Sequence, residues 1–205
     1  MSCPARYIRI CNSLTYVSLS CSLMAVFAAR EYGSWETAGL LLAVAALADT
    51  YDGKFARLFL RTENEKAFGA QLDSLVDAVA FGIAPVICLE SLVQFQSASA
   101  RAAWLAAAFV YVLCAVTRLG FYNIHNHAAF GFIGLPTTLA ALLWSTLFLT
   151  HPTATSAALI LAVLGVAMVS PLPIARPRGI AMGAYMLWFL VVFASYALRL
   201  AGGIY

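Results

Sequence analysis

Four aspartates fall into two pairs, and a glycine stands beside each pair. Asp49 and Asp52 precede Gly53, while Asp73 and Asp77 follow Gly69. At helical spacing Asp49, Asp52 and Ala56 lie at i, i+3 and i+7 and share one face; Gly69, Asp73 and Asp77 lie at i, i+4 and i+8 and share another. Carboxylate oxygens are hard ligands, and four of them brought together suit Mg²⁺ or Mn²⁺. No His or Cys accompanies them, which argues against zinc. Two divalent ions would roughly neutralise four carboxylates, and paired ions about 4 Å apart are a known device for phosphoryl displacement. Gly53 and Gly69 remove side chains beside the acidic faces, so a helix backbone or a bulky ligand can come close. Arg57, one turn beyond Gly53, can grip a phosphate oxygen in a fork geometry. A lone aspartate at a helix end is commonly solvated or paired with a nearby Lys or Arg. Four at these spacings, flanked by two glycines, do not fit that pattern.

The elements that carry these residues are read from composition. Of 205 residues, 63% are hydrophobic and only 10% charged. A soluble domain runs nearer a quarter charged, so the bilayer is the natural solvent for this chain. Apolar runs predict seven spans, at 8–29, 35–60, 66–93, 98–122, 133–150, 153–171 and 179–200. The expected fold is therefore all-α, a polytopic membrane bundle of about six to seven transmembrane helices forming a single domain over 1–205. The first run carries Asn12, Ser13, Thr15, Ser18 and Ser20 and lacks a small-residue cleavage site, so it reads as a retained span. The short turn around Arg61 to Lys66 makes the second and third spans antiparallel neighbours, and their acidic faces can meet.

Charge placement predicts orientation. With a cytoplasmic N-terminus, the inner ends carry Arg6, Arg9, Lys54, Arg57, Arg61, Lys66, Arg118, Arg176 and Arg178, and the outer ends carry Arg30, Arg101 and Arg199. Nine against three follows the positive-inside rule and puts the aspartates on the cytoplasmic side. The net charge of +3 gives no basis for a nucleic-acid partner. The five cysteines (Cys3, Cys11, Cys21, Cys88, Cys114) form no CxxC pair and read as small hydrophobes. His125, Asn126 and His127 read as a solvated loop, and Trp35, Trp104, Trp144 and Trp188 as interfacial or packing aromatics.

The segment Asp49-Thr-Tyr-Asp52-Gly53-Lys-Phe-Ala56-Arg57, followed by Gly69-Ala-Gln-Leu-Asp73-Ser-Leu-Val-Asp77, resembles the D-x-x-D-G-x-x-A-R…G-x-x-x-D-x-x-x-D signature of CDP-alcohol phosphotransferases. All eight fixed positions are present in order. The stretch from Phe68 to Pro85, and Gly134-Leu-Pro-Thr-Thr138, resemble the bacterial and archaeal phosphatidylserine synthase branch (CDP-diacylglycerol–serine O-phosphatidyltransferase). Arg118 and Asn123 are similar to an Arg/Asn-bearing stretch of that branch, and Asn12 and Thr15 to an Asn/Thr pair in the family's first helix. The chain departs from the branch in two places. Eleven residues separate Arg57 from Gly69, a longer turn than the branch has, and Phe121 stands where a second Arg is often found.

The resemblance implies that Asp49, Asp52 and Asp73 bind two divalent ions, Mg²⁺ or Mn²⁺, with Asp77 at their edge and also serving as the general base for the acceptor hydroxyl. It implies that Asn12, Thr15, Gly53, Ala56, Arg57 and Gly69 contact the cytidine diphosphate part, and that Arg118 and Asn123 serve the acceptor. The implied reaction joins CDP-diacylglycerol to serine and releases CMP in phospholipid biosynthesis. It would run at a homodimer in a bacterial or archaeal cytoplasmic membrane, among membrane lipids. Arg176 and Arg178 read as topology and headgroup contacts. Within the family the alternative is another acceptor, such as inositol phosphate, glycerol phosphate or choline. From another class, a small cation transporter would spread its acidic residues across the membrane depth, whereas these gather at one end beside Arg57.

Overall fold

The structure is a computed structural model and describes residues 3–124, 132–174 and 179–202. Two 3₁₀ turns, Pro4–Tyr7 and Ile10–Asn12, lead into α1 (Ser13–Tyr32). Then follow α2 (Trp35–Ala56), α3 (Glu63–Asp77), a π-helical segment (Ala78–Ile83) and α4 (Ala84–Leu92). The chain continues through α5 (Ala98–Ile124), β1 (Phe132–Ile133), α6 (Thr137–Phe148), α7 (Ala154–Val169), β2 (Pro173–Ile174) and α8 (Ile180–Gly202). The protein is an all-α polytopic membrane bundle.

Among the described residues four helices are long and apolar enough to cross a bilayer: Ile10–Tyr32, the continuous Glu63–Leu92, Ala98–Ile124 and Ile180–Gly202. α6 and α7 are apolar but shorter. α2, at 22 residues, has the length of a span but carries Glu36, Asp49, Asp52 and Lys54. The helices thus follow the seven predicted runs with boundaries shifted by up to about five residues; the first run, predicted from 8, enters α1 only at Ser13 after the 3₁₀ turns, and the third, predicted from 66, starts at Glu63. The second run stops at Ala56, because residues 57–59 form a turn closed by Leu58 N–H and Phe59 N–H donating to Phe55 and Ala56 carbonyls. The fifth begins at Thr137, because Phe132 and Ile133 pair antiparallel with Ile174 and Pro173 instead of joining the helix.

Small residues let the first two helices pack closely. Ser18, Ser22, Ala25, Ala28 and Ala29 of α1 are buried, as are Ala38, Gly39, Leu42, Ala45 and Ala46 of α2. Gly33, at φ 59, ends α1 in the left-handed conformation that glycine adopts without strain, and Ser34 caps α2 by accepting from Thr37 N–H at 3.1 Å. α8 docks on α2 and α6 through Tyr196. A Cβ at Gly39 would strike the Tyr196 ring, the Tyr196 hydroxyl donates to the Ser145 carbonyl, and Ser145 Oγ donates to the Gly39 carbonyl at 2.8 Å.

The two ends of the bundle differ in chemistry. At one end Glu36 meets His151 at 3.0 Å and Arg199 at 3.9 Å, while Arg101 pairs with Glu90 at 3.0 Å. Arg30 lies beside Glu90 along the same groove. These are the three arginines assigned to one side by sequence. The aspartates lie toward the opposite end.

Candidate active site

α2 and α3 are joined by residues 57–62 and run antiparallel. The second helix starts at a capping box: Thr62 Oγ1 accepts from Glu65 N–H at 3.3 Å, and Glu65 Oε2 accepts from Thr62 N–H at 2.9 Å. Glu65 also forms an ion pair with Arg9, and the Tyr7 ring stacks on Phe68 with centroids 4.7 Å apart. The N-terminal lead-in is thereby fastened across the first turns of α3, next to Gly69.

One oxygen from each of Asp49, Asp52 and Asp73 lies within 4.8 Å of the others, and each residue is half-buried. Among the described residues no Lys or Arg forms an ion pair with any of the four aspartates. Asp73 Oδ1 and Asp77 Oδ1 are buried without a hydrogen-bond partner. Buried carboxylate oxygens left this way are costly unless a cation or proton donor joins them. The donor set is all oxygen and fits a hard divalent cation. Thr15 Oγ1 donates to Asp52 Oδ2 at 2.9 Å, so α1 orients one of the three carboxylates.

Asp77 borders this trio, with its carboxyl in side-chain contact with that of Asp49. It is buried, and its Oδ2 accepts from Thr137 Oγ1 of α6 at 3.2 Å. It acts electrostatically on Asp49, and Arg118 acts on Asp77. Immediately after Asp77 the helix widens into the π segment, in which Ala84 N–H donates to the Val79 carbonyl. Pro85 has no N–H for the Phe81 carbonyl, its partner in a regular helix. Tyr111 of α5 supplies the missing donor: its hydroxyl donates to the Phe81 carbonyl at 2.8 Å and accepts from Trp144 Nε1 at 3.1 Å. Bulges of this kind recur at functional sites, and here the bulge follows Asp77 directly.

Around the carboxylates the other expected residues take distinct places. Gly53 is exposed, and a Cβ there would meet nothing within 4 Å. A Cβ at Gly69 would meet only Asn12 Oδ1 at 3.5 Å and Arg61 Nη1 at 3.6 Å, ordinary contacts. Neither glycine is demanded by packing among the described residues. Asn12 is buried, with Nδ2 donating to the Tyr7 carbonyl at 3.3 Å, and Ala56 is buried. Arg57, at the α2 C-cap, is exposed and forms no ion pair with a described residue. Arg118 is buried, with its guanidinium 4.6 Å from the Tyr122 ring centroid. Asn123 is exposed and accepts from Ser74 Oγ at 2.8 Å. His125, Asn126, His127, Arg176 and Arg178 lie outside the described residues.

Sequence reasoning missed Thr137, Tyr111, Ser74 and the Tyr7–Phe68 stack. Pro85 was a legible signal for Tyr111, because a proline inside a helix leaves a known carbonyl needing a donor. Thr137 lay in a stretch noted for its resemblance, without a role.

The oxygen-only acidic trio at one end of the membrane bundle is an arrangement that can hold a divalent cation. The sequence model of the CDP-alcohol phosphatidyltransferases matches residues 8–170, and the chain belongs to that family. It is 31% identical over 180 residues to the archaetidylserine synthase of Methanothermobacter thermautotrophicus, covering 87% of this chain and 73% of that one. It is similar to two proteins named CDP-diacylglycerol–serine O-phosphatidyltransferase. With that of Helicobacter pylori the identity is 31% over 64% of this chain and 54% of the relative; with that of Methanocaldococcus jannaschii it is 39% over 50% and 46%. The alignments thus span about half the length of these two relatives.

Proposed function

We propose that this chain transfers a phosphatidyl-type group from a CDP-linked diacylglycerol or its ether counterpart to the hydroxyl of serine, releasing CMP. The observation that carries the reaction class is the meeting of Asp49, Asp52 and Asp73 oxygens within 4.8 Å on two signature-bearing helices. The serine assignment is supported by the names of the relatives, which span bacterial and archaeal proteins.

Asp49, Asp52 and Asp73 would hold the divalent ions, Mg²⁺ or Mn²⁺, with Asp77 bordering them. When bound, such ions neutralise charge on a pyrophosphate and on its leaving oxygen. The chain's own residues do the rest. Thr15 fixes the Asp52 carboxylate. Arg57 grips a phosphate oxygen at the open end of α2, and Gly53 and Gly69 leave room for the nucleotide beside Asn12. The serine hydroxyl attacks the phosphorus attached to the lipid, its proton passes to Asp77, and the bond from that phosphorus to CMP breaks with the electron pair leaving on CMP. Arg118 provides cationic character on the acceptor side of Asp77, where a free amino acid brings a carboxylate, and Asn123 lies beyond it on the same helix. The lipid chains stay in the bilayer throughout. The excess of Lys and Arg on the aspartate-bearing side supports a cytoplasmic site in the cytoplasmic membrane, and likeness to the family supports a homodimer.

The test is CMP release by purified protein from CDP-diacylglycerol, with serine, inositol phosphate, glycerol phosphate and choline offered separately. Serine is expected to be the acceptor that drives release. Release with another acceptor and none with serine would overturn the serine assignment, and no release with any would overturn the reaction.

A further inference from the structure

The stretch Gly134-Leu135-Pro136-Thr137 carries more construction than a helix start requires. Gly134 sits at φ 71, and a Cβ there would collide with the Met168 carbonyl at the end of α7. Only glycine fits that approach and that conformation. Gly134 N–H donates to the Leu172 carbonyl and Leu135 N–H to the Ala167 carbonyl, each at 2.9 Å. Leu135 packs against the core around Trp144 and Met168. Pro136, at φ −60 and ψ 140, is the N-cap of α6, where its missing N–H costs nothing, and Thr137 is the first helical residue. The start of α6 is therefore clamped to the end of α7 through backbone groups. Beside the apolar Leu135, the clamp directs the polar side chain of Thr137 into the bundle, 2% exposed.

The Thr137 hydroxyl donates to Asp77 Oδ2 at 3.2 Å, and Asp77 Oδ1 is buried with no partner. A carboxylate so held cannot rotate to exchange its oxygens without breaking a buried hydrogen bond. We propose that Thr137 is a positioning residue: it occupies Oδ2 of Asp77 and so presents Oδ1 as the atom that takes the acceptor's proton. This rests on the reading of Asp77 as the base in the transfer described above. In that step the O–H bond of the acceptor breaks and its proton goes to Oδ1. The acceptor oxygen bonds to the lipid-linked phosphorus, and the phosphorus–oxygen bond to CMP breaks, with the electron pair leaving on CMP. Thr137 keeps its own proton and touches no reacting atom. It bonds Asp77 and none of the Asp49, Asp52 and Asp73 carboxylates, so it governs turnover more than capture of the CDP-lipid.

Thr137→Val preserves the shape of the side chain and removes the donor; Thr137→Ser restores the donor. Both are compared with the wild-type chain by CMP release across CDP-diacylglycerol and acceptor concentrations, and by thermal unfolding in the same detergent. The valine variant is expected to lose about tenfold or more in kcat, a fraction of what a positioned base contributes. Its KM for CDP-diacylglycerol should stay within about twofold, since uniform binding is untouched. The serine variant should return to within about threefold of wild type. Wild-type kcat in Thr137→Val overturns the proposal, as does a serine variant impaired as badly as the valine one, or a valine defect that appears in KM for the CDP-lipid with kcat unchanged. The kcat loss is expected with whichever acceptor the wild type uses. A wild type that prefers an alcohol other than serine therefore revises the acceptor, and Thr137 is judged on that alcohol.

Discussion

Thr15 Oγ1 of α1 lies 2.9 Å from Asp52 Oδ2 of α2 and donates to it. The first helix, which carries no acidic residue at the site, thus orients a carboxylate of the trio from behind. Partners of this kind, which hold a ligand without touching the ion, typically govern affinity about 10–100-fold. Thr15→Val is expected to raise the Mn²⁺ or Mg²⁺ concentration needed for half-maximal activity by roughly tenfold after chelation and readdition, while Thr15→Ser stays near wild type. An unchanged metal titration in the valine variant would show that Asp52 needs no support from α1.

Asp77→Asn keeps size and the hydrogen bond from Thr137 but cannot accept a proton as a carboxylate does. Turnover is expected to fall by about 10²-fold or more, while CDP-lipid binding, assigned in the proposed function to the trio and Arg57, is expected to be largely spared. Single-turnover CMP release alongside equilibrium binding of CDP-diacylglycerol separates the two. Activity retained in this variant would exclude Asp77 as the base.

Gly69 is open to a methyl group as far as the protein is concerned, its nearest neighbours to a Cβ being at 3.5 and 3.6 Å. Inside α3, alanine in place of glycine should add about 0.5–1 kcal/mol of helix stability. If the space belongs to the nucleotide, Gly69→Ala should nonetheless raise KM for CDP-diacylglycerol several-fold. Thermal unfolding and KM measured on one preparation check both signs at once; a variant that is stabilised with KM unchanged would place the nucleotide elsewhere.

Tyr111→Phe removes the donor that stands in for Pro85 at the Phe81 carbonyl and leaves Trp144 Nε1 without its acceptor. Leaving buried polar groups unpaired costs about 1–3 kcal/mol each. The variant is expected to melt several degrees lower in detergent than the wild type. An unaltered melting curve would show that the π segment does not depend on this hydroxyl.

The legible part of the site was the part fixed by helical period. Asp49 with Asp52, and Asp73 with Asp77, declare their shared faces because i, i+3 and i+4 positions superpose on any helix, and the short turn at 57–62 leaves little choice but an antiparallel pair. The apolar runs declared the helices for the same reason: the bilayer demands length and composition that few other settings do. What remained hidden depends on contacts between distant segments. Thr137 meets Asp77 across 60 residues, Tyr111 meets Phe81 across 30, and Thr15 meets Asp52 across 37. The pairing of Phe132–Ile133 with Pro173–Ile174 was also invisible, since two-residue strands carry no alternation to read. The glycines leave two uses open from sequence, and the surroundings of Gly53 and Gly69 show only that neither is required by packing among the described residues.

The most direct measurement is the anomalous scattering of Mn²⁺ in crystals of the purified protein grown with CDP-diacylglycerol. Peaks are expected among the oxygens of Asp49, Asp52 and Asp73, against the pyrophosphate and on the side of the bundle away from Glu36 and Arg199. Manganese bound elsewhere, or a CDP-lipid seated with no peak between those three carboxylates, would contradict the shared metal centre on which the proposed transfer depends.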